Sequence, residues 1–311
     1  MTTAPKLQEE YSAKIPALTL LANLGWTYLS PQQANDARGG KLDEVVLKDV
    51  LRDVLSTRQF VHAGTSYTLS KKSVDNLISQ LCRPALNQGL LHANETLYNH
   101  LCYGITVTEF VDGKKVHATI PLIDWDNPTE NKLHVTDEFS VRRIGRKDCR
   151  RPDIVLFVNG LPLVVIEAKR PDSHKHDHRP TIEEGISQSL RNQKNDEIPH
   201  LFVYSQLLLA INSIEGRYAT TGTPMKFWAT WREEDFDDDD MERIKNGPLS
   251  AGQINAIFGH RSEHYRRWYE ELLGGGALAL TDQDRMVISL LDPARLLDMV
   301  RYFTLFDKKV G

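Results

Sequence analysis

Apolar residues recur every three or four positions across residues 7–24, 45–55, 74–81 and 86–101, whereas from residue 104 onward they fall into short alternating or continuous blocks. The first spacing marks one face of an α-helix and the second marks strands. The chain therefore predicts an N-terminal helix, a strand beginning near Gly25-Trp26-Thr27, and a mainly helical segment over 41–103 with helix-to-helix breaks near Gly64 and Pro84. Beyond it, runs at 105–110 and 116–123 flank Asp112-Gly113 and predict a hairpin. A strand-like piece follows at 139–144. Thr181 opens a helix reaching about Lys194, with Glu183 and Glu184 in its first turn, where acids suit the positive end of the helix dipole. Residues 201–204 and 207–211 read as a buried strand and its continuation, and 226–231 as a further strand. Helices alternating with strands in this order predict an α/β fold, a mixed central sheet flanked by helices. Residues 233–240 hold seven acids in eight positions and read as a solvated loop before helices over 249–306, which break at Gly274-Gly275-Gly276. The expected organisation is one domain over 1–240, with a helical insertion at about 41–103, and added helices over 241–311.

The densest signal lies at 151–169. Two runs rich in Val, Ile, Leu and Phe flank Asn159-Gly160, with Asp153 at the start of the first run and Glu167-Ala168-Lys169 at the end of the second. Asn-Gly between such runs is a strong hairpin signal. A plain two-residue turn would pair positions whose indices sum to 319, setting Asp153 opposite Ile166 and turning Glu167 to the other face. For the two carboxylates to face each other the sum must be 320, so a three- or five-residue loop or a bulge is expected near residues 159–162, which also suits Pro162. Directly paired side chains lie about 5 Å apart, where two carboxylates repel unless a cation lies between them. Lys169 shares the face of Glu167 by strand periodicity. The plain alternative makes Asp153 a strand cap and Glu167 with Lys169 a surface ion pair.

Composition changes this picture little. The chain has 311 residues, 41% hydrophobic and 26% charged, values ordinary for a globular protein. A net charge of −4 argues against indiscriminate coating of nucleic acid but allows a local basic track. Arg142, Arg143, Arg146, Lys147, Arg150 and Arg151 form such a track just before Asp153. They could neutralise DNA phosphates, and the rival reading is a solvated basic loop. Cys82, Cys102 and Cys149 are odd in number and lack C-x-x-C spacing, against a disulfide framework or structural zinc and in favour of a cytoplasmic setting. No apolar run approaches the ~20 residues of a membrane span. His174, His176 and His178 lie in a polar stretch and read as a loop before they read as a metal site. Trp228 and Trp231 fit an apolar strand or its rim better than base stacking.

Pro152-Asp153 followed by Glu167-x-Lys169 resembles the PD-(D/E)xK nuclease motif. The longer match is closer still. Residues 151–169, Ile198-Pro199-His200-Leu201-Phe202, Gly222-Thr223, Gly104-Ile105-Thr106-Val107 and Ile123-Asp124-Trp125-Asp126-Asn127-Pro128 resemble the N-terminal nuclease region of the restriction (R) subunit of type I restriction enzymes. The resemblance implies a Mg²⁺-dependent endonuclease acting on double-stranded DNA together with methyltransferase and specificity subunits. It implies Asp153, Glu167 and the Ala168 carbonyl as metal ligands, Lys169 as the residue that positions or deprotonates water, and Gln188 as a helical contact to the site. Asn192 stands where the family motif expects Tyr. An upstream helical acid is also implied, with Glu10 and Glu44 as candidates. ATP would be used only by motor domains, because no G-x-x-x-x-G-K-[ST] occurs in these residues. A freestanding repair or phage-defence nuclease and a non-catalytic DNA-binding or docking module are the alternatives.

Overall fold

A computed structural model describes residues 9–171 and 181–306. A π-helical turn, Glu10–Lys14, leads into α1 (Ile15–Asn23), then β1 (Thr27–Tyr28) and α2 (Pro31–Ala37). The next segment holds α3 (Lys48–Thr57), β2 (Gln59–His62), β3 (Thr65–Thr68), α4 (Lys71–Leu81) and α5 (Leu90–Tyr103), followed by the hairpin β4 (Ile105–Val111) and β5 (Lys114–Ile120). The central part contains β6 (Leu133–Asp137), β7 (Val141–Arg142), β8 (Cys149–Arg150), β9 (Ile154–Val158), β10 (Leu161–Ala168), α6 (Thr181–Asn192), α7 (Pro199–Phe202), β11 (Leu207–Ile211) and β12 (Gly216–Ala219). Helices α8 (Asp238–Lys245), α9 (Ala251–Phe258), α10 (Glu263–Gly274), α11 (Asp282–Leu291) and α12 (Pro293–Phe303) complete the chain.

Six strands form one mixed sheet in the order β1-β6-β9-β10-β11-β12. The β1–β6 and β10–β11 pairs are parallel and the others antiparallel. Every residue of β9, β10 and β11 is buried, which explains their unbroken apolar runs: both faces are covered by helices. Asn159 and Gly160 take φ of +53° and +84°, the left-handed pair that a tight hairpin turn demands. The turn is clamped, since Asn159 Nδ2 donates to the Leu122 carbonyl and to Asn131 Oδ1, and Gly160 accepts from the Leu47 amide at 2.9 Å.

The α/β expectation and the two Asn-Gly and Asp-Gly hairpins hold, but several elements differ. The break near Gly64 is a β-hairpin, β2–β3, turning through Ala63 and Gly64 at φ of +50° and +81°. The sheet strand preceding β9 is β6, whereas the piece at 139–144 pairs only Val141 and Arg142, with β8, outside the main sheet. Residues 199–202 form a helix, opened by Pro199 at its first turn, where no N–H is needed. At 225–231 there is a short 3-10 turn and a single bridge from Ala229 to Tyr218; the edge strand is β12. The acidic run is not all solvated. Asp237 caps α8, and Glu233 accepts from Trp231 Nε1 and from the amides of residues 234–236. Burial opposes ionisation of Glu233, yet bonds from Trp231, Ser289 and nearby amides bring its pKa down to about 2.

The C-terminal helices share the hydrophobic core of the sheet. Trp26 Nε1 donates to the Leu291 carbonyl at 2.8 Å, and Gln283 Nε2 to the Ala13 carbonyl at 3.2 Å. Trp268 and Tyr265 of α10 pack on the Tyr11 ring. No helix among the described residues is long and apolar enough to cross a membrane.

Candidate active site

The site is set by the register of one hairpin. At the turn, Val158 pairs with Leu161 and Phe157 with Pro162, indices summing to 319; beyond it Leu156–Val164, Val155–Val165 and Ile154–Ile166 sum to 320. The shift between Pro162 and Val164 is a β-bulge, and continuing the later register places Asp153 opposite Glu167. One extra residue thus turns the glutamate to the face of the aspartate.

Asp153 is 7% exposed and Glu167 fully buried. Asp153 Oδ2 accepts from the Ala168 amide at 2.8 Å and lies 3.4 Å from Lys169 Nζ. Lys169 Nζ also donates to the Ala168 carbonyl at 2.7 Å, so that oxygen, predicted as a metal ligand, carries an ammonium contact. From α6, Gln188 Nε2 donates to Glu167 Oε2 at 2.6 Å and Asn192 Nδ2 to Glu167 Oε1 at 3.3 Å. These two residues are one helical turn apart and share a face. Asn192, at the position of the missing Tyr, therefore supplies a second amide to the same carboxylate.

Burial first, then the adjacent Asp153 carboxylate, pushes the Glu167 pKa well above the ordinary carboxylate value. Burial alone would lower Lys169, but Asp153, Glu167 and Glu9 outweigh it and raise its pKa, so the ammonium stays charged. Glu9 is raised as well, by burial and then by Asp153.

The upstream acid facing the site is Glu9. Its Oε2 lies 3.9 Å from Lys169 Nζ, whereas Glu10 pairs with Lys14 at 2.8 Å and Glu44 with Lys48 at 2.6 Å. The family resemblance implied an upstream helical acid without fixing its position, and Glu9 directly precedes the π-turn at 10–14. Only the adjacency of two acids at the helix start could have flagged it.

The basic track divides into two groups. Arg150 makes a bidentate pair with Glu197 at 2.6 and 2.8 Å, and Arg143 binds Asp148, Asp196 and Glu197. Arg142, Arg146, Lys147 and Arg151 are exposed. Arg146 approaches Asp196 at 3.5 Å and Arg151 approaches Glu138 at 3.8 Å. His174, His176 and His178 lie outside the described residues.

Among the described residues no three His, Cys, Asp or Glu side chains come together in a way that could hold a metal ion. Two buried carboxylates and a backbone carbonyl converging on one face are instead an open, all-oxygen donor set. Such a set fits a hard divalent cation that keeps several waters, as Mg²⁺ does.

Residues 6–227 match the sequence model of the type I restriction enzyme R protein N terminus. A protein of Haemophilus influenzae, "Type I restriction enzyme HindI endonuclease subunit", is 27% identical over 302 residues, covering 94% of this chain and 24% of its own length. One of Methanocaldococcus jannaschii, "Putative type I restriction enzyme MjaIXP endonuclease subunit", is 24% identical over 290 residues, covering 87% of this chain and 26% of its own. The chain spans about a quarter of the length of these relatives.

Proposed function

Since the chain belongs to the type I restriction enzyme R protein N-terminus family, we propose that its Asp153–Glu167–Lys169 cluster is a Mg²⁺-dependent centre that hydrolyses DNA phosphodiester bonds. The observation that carries this reading is the bulge in β10, which turns Glu167 to face Asp153 beside the Lys169 ammonium. A purely structural ion pair would need neither a register shift nor a second acid facing the same lysine.

Asp153, Glu167 and the Ala168 carbonyl would hold the ion. When bound there, Mg²⁺ supplies a Lewis acid for a phosphoryl oxygen and makes a bound water a better nucleophile. The chain's own groups do the rest. Gln188 and Asn192 hold both oxygens of Glu167 in place. Lys169, kept charged by three acids, orients the attacking water and offsets charge gathering on the phosphate. Glu9 flanks that ammonium. Arg142, Arg146, Lys147 and Arg151 steer the DNA backbone toward the site, with Arg143 and Arg150 stiffening the segment that carries them. In the complete enzyme this region would cut double-stranded DNA in the company of methyltransferase and specificity subunits, with ATP hydrolysis located elsewhere.

Plasmid nicking with and without Mg²⁺, for wild type, Asp153→Ala and Lys169→Ala, tests the reading; Mg²⁺-dependent nicking lost in both variants is expected. Calorimetry covers the case in which cleavage awaits partner subunits: Glu167→Ala should lose the Mg²⁺ binding seen in wild type. No cleavage together with identical Mg²⁺ titrations would leave a DNA-docking module.

A further inference from the structure

A ring of charges, with Arg261, Asp137 and Lys14 buried and Glu10 and Glu138 partly exposed, joins the end of β6, the N-terminal π-turn and the C-terminal helices. Arg261 lies between α9 and α10, its side chain only 6% exposed. Its Nη2 donates to Asp137 Oδ2, its Nη1 donates to Tyr28 Oη at 3.1 Å, and its Nε lies 3.5 Å from Glu10 Oε1. Tyr28 Oη in turn donates to Asp137 Oδ1 at 2.5 Å. Lys14, also buried, continues the ring, with Nζ 2.8 Å from Glu10 and 2.5 Å from Glu138.

Both sides of the ring abut the site without touching its reacting groups. Asp137 pairs with Ile154 in the β6–β9 ladder, and the Glu138 amide donates to the Asp153 carbonyl at 3.1 Å. On the other side Glu10 is the chain neighbour of Glu9, which faces Lys169. Burying Arg261, Asp137 and Lys14 carries a desolvation cost, and apolar side chains would hold these elements together at least as well. A guanidinium fork adds direction, because it fixes the lateral position of acids on two separate elements at once.

We propose that Arg261 is a positioning residue for DNA cleavage: through Glu10 and Asp137 it sets Glu9 and Asp153 against Lys169, so that the C-terminal helical layer tunes the site. This rests on the nuclease reading given above. Arg261→Gln should slow Mg²⁺-dependent nicking by about 10- to 100-fold with little change in KM for DNA, the loss expected from a small misplacement of reacting groups. Arg261→Lys should recover part of the rate. Combining Arg261→Gln with Glu9→Gln should cost little beyond the worse single variant, since both act on one element. A wild-type rate in Arg261→Gln, or losses that multiply in the double variant, overturns the proposal. If Arg261→Gln fails to fold, Arg261→Lys carries the test, and its nicking at the wild-type rate overturns it. If wild type neither nicks nor binds Mg²⁺ better than Glu167→Ala, the nuclease reading has failed separately. Hydrogen exchange then reads positioning alone: faster exchange at residues 9–14 in Arg261→Lys supports it, and unchanged exchange overturns it.

Discussion

Gln188 Nε2 donates to Glu167 Oε2 at 2.6 Å, joining α6 to the end of β10 through a carboxylate with no exposure to solvent. Left without that donor, the carboxylate would be less well compensated than it is now. Gln188→Ala should therefore destabilise the protein by about 1–3 kcal/mol, the range for leaving a buried polar group without its partner. Asn192→Ala should cost less, because its bond to Glu167 is longer, at 3.3 Å. Chemical denaturation at neutral pH checks the order; equal losses in the two variants would contradict it.

Glu167 gives the metal-free protein a distinctive pH dependence. Its folded pKa is raised above the ordinary value of 4.5, by burial and then by Asp153. Between the unfolded and folded values the native state binds the extra proton. Its contribution to stability is thus fully present below about pH 4.5 and is lost as pH rises through the raised folded value. Glu167→Gln, neutral at every pH, should melt higher than wild type at neutral pH in the presence of chelator, with the difference shrinking toward acid. Mg²⁺ should narrow the gap by stabilising wild type alone. A Glu167→Gln melting temperature at or below wild type across the range would show that the buried charge is not a liability.

The hairpin and its acids were legible because they depend on local signals: Asn159-Gly160 demands two left-handed residues, and period-2 alternation places Lys169 with Glu167. That the register must shift, through a three- or five-residue loop or a bulge, also followed from counting, although the choice of a bulge between Pro162 and Val164 did not. What escaped depends on tertiary context. Residues 201–204 have a strand's composition, but Pro199 and the need to return the chain from α6 to β11 place residues 199–202 in a helix that ends in a turn at 203–204. Leu133–Asp137 was hidden because its burial does not alternate: its first two residues are half-buried and its last three are buried together between β1 and β9. Glu9 was not among the expected acids, Glu10 and Glu44, because the resemblance implied an upstream helical acid without its position, and only the fold shows which one comes near Lys169.

Gly160 should not tolerate a side chain. A Cβ there would lie 2.6 Å from the Leu47 carbonyl oxygen and 3.0 Å from the Leu51 amide nitrogen, with φ at +84°. Backbone strain alone costs about 1–3 kcal/mol for such a residue. Because α3 is backbone rather than a flexible side chain at this contact, it must move or the turn must open. Gly160→Ala should lower the melting temperature and loosen the register that faces Asp153 to Glu167. Gly113→Ala provides the control, since its φ is +76° but no atom lies within 4 Å of the added Cβ. Similar losses at both positions would mean that strain, not the contact with α3, sets the cost.

The division of the basic track predicts two different responses to charge removal. Arg146 and Lys147 are exposed, and Arg146 approaches only an exposed aspartate, at 3.5 Å. If they meet phosphates, replacing both with Gln should weaken binding to all DNA sequences alike. The slope of log K against log salt should flatten by about 1.8, at roughly 0.9 for each phosphate no longer neutralised. Arg150 differs because Glu197 takes both its Nε and Nη2, and the same pairing holds the Glu197 carboxyl below its usual pKa. Its guanidinium is thus committed within the protein, and Arg150→Gln should lower stability, leaving the salt slope near wild type. Binding isotherms at several salt concentrations, read beside thermal melts of the same variants, separate the two effects. A salt slope reduced by Arg150→Gln and untouched by the Arg146→Gln/Lys147→Gln pair would invert the assignment and place the phosphate path along the Glu197 side of the track.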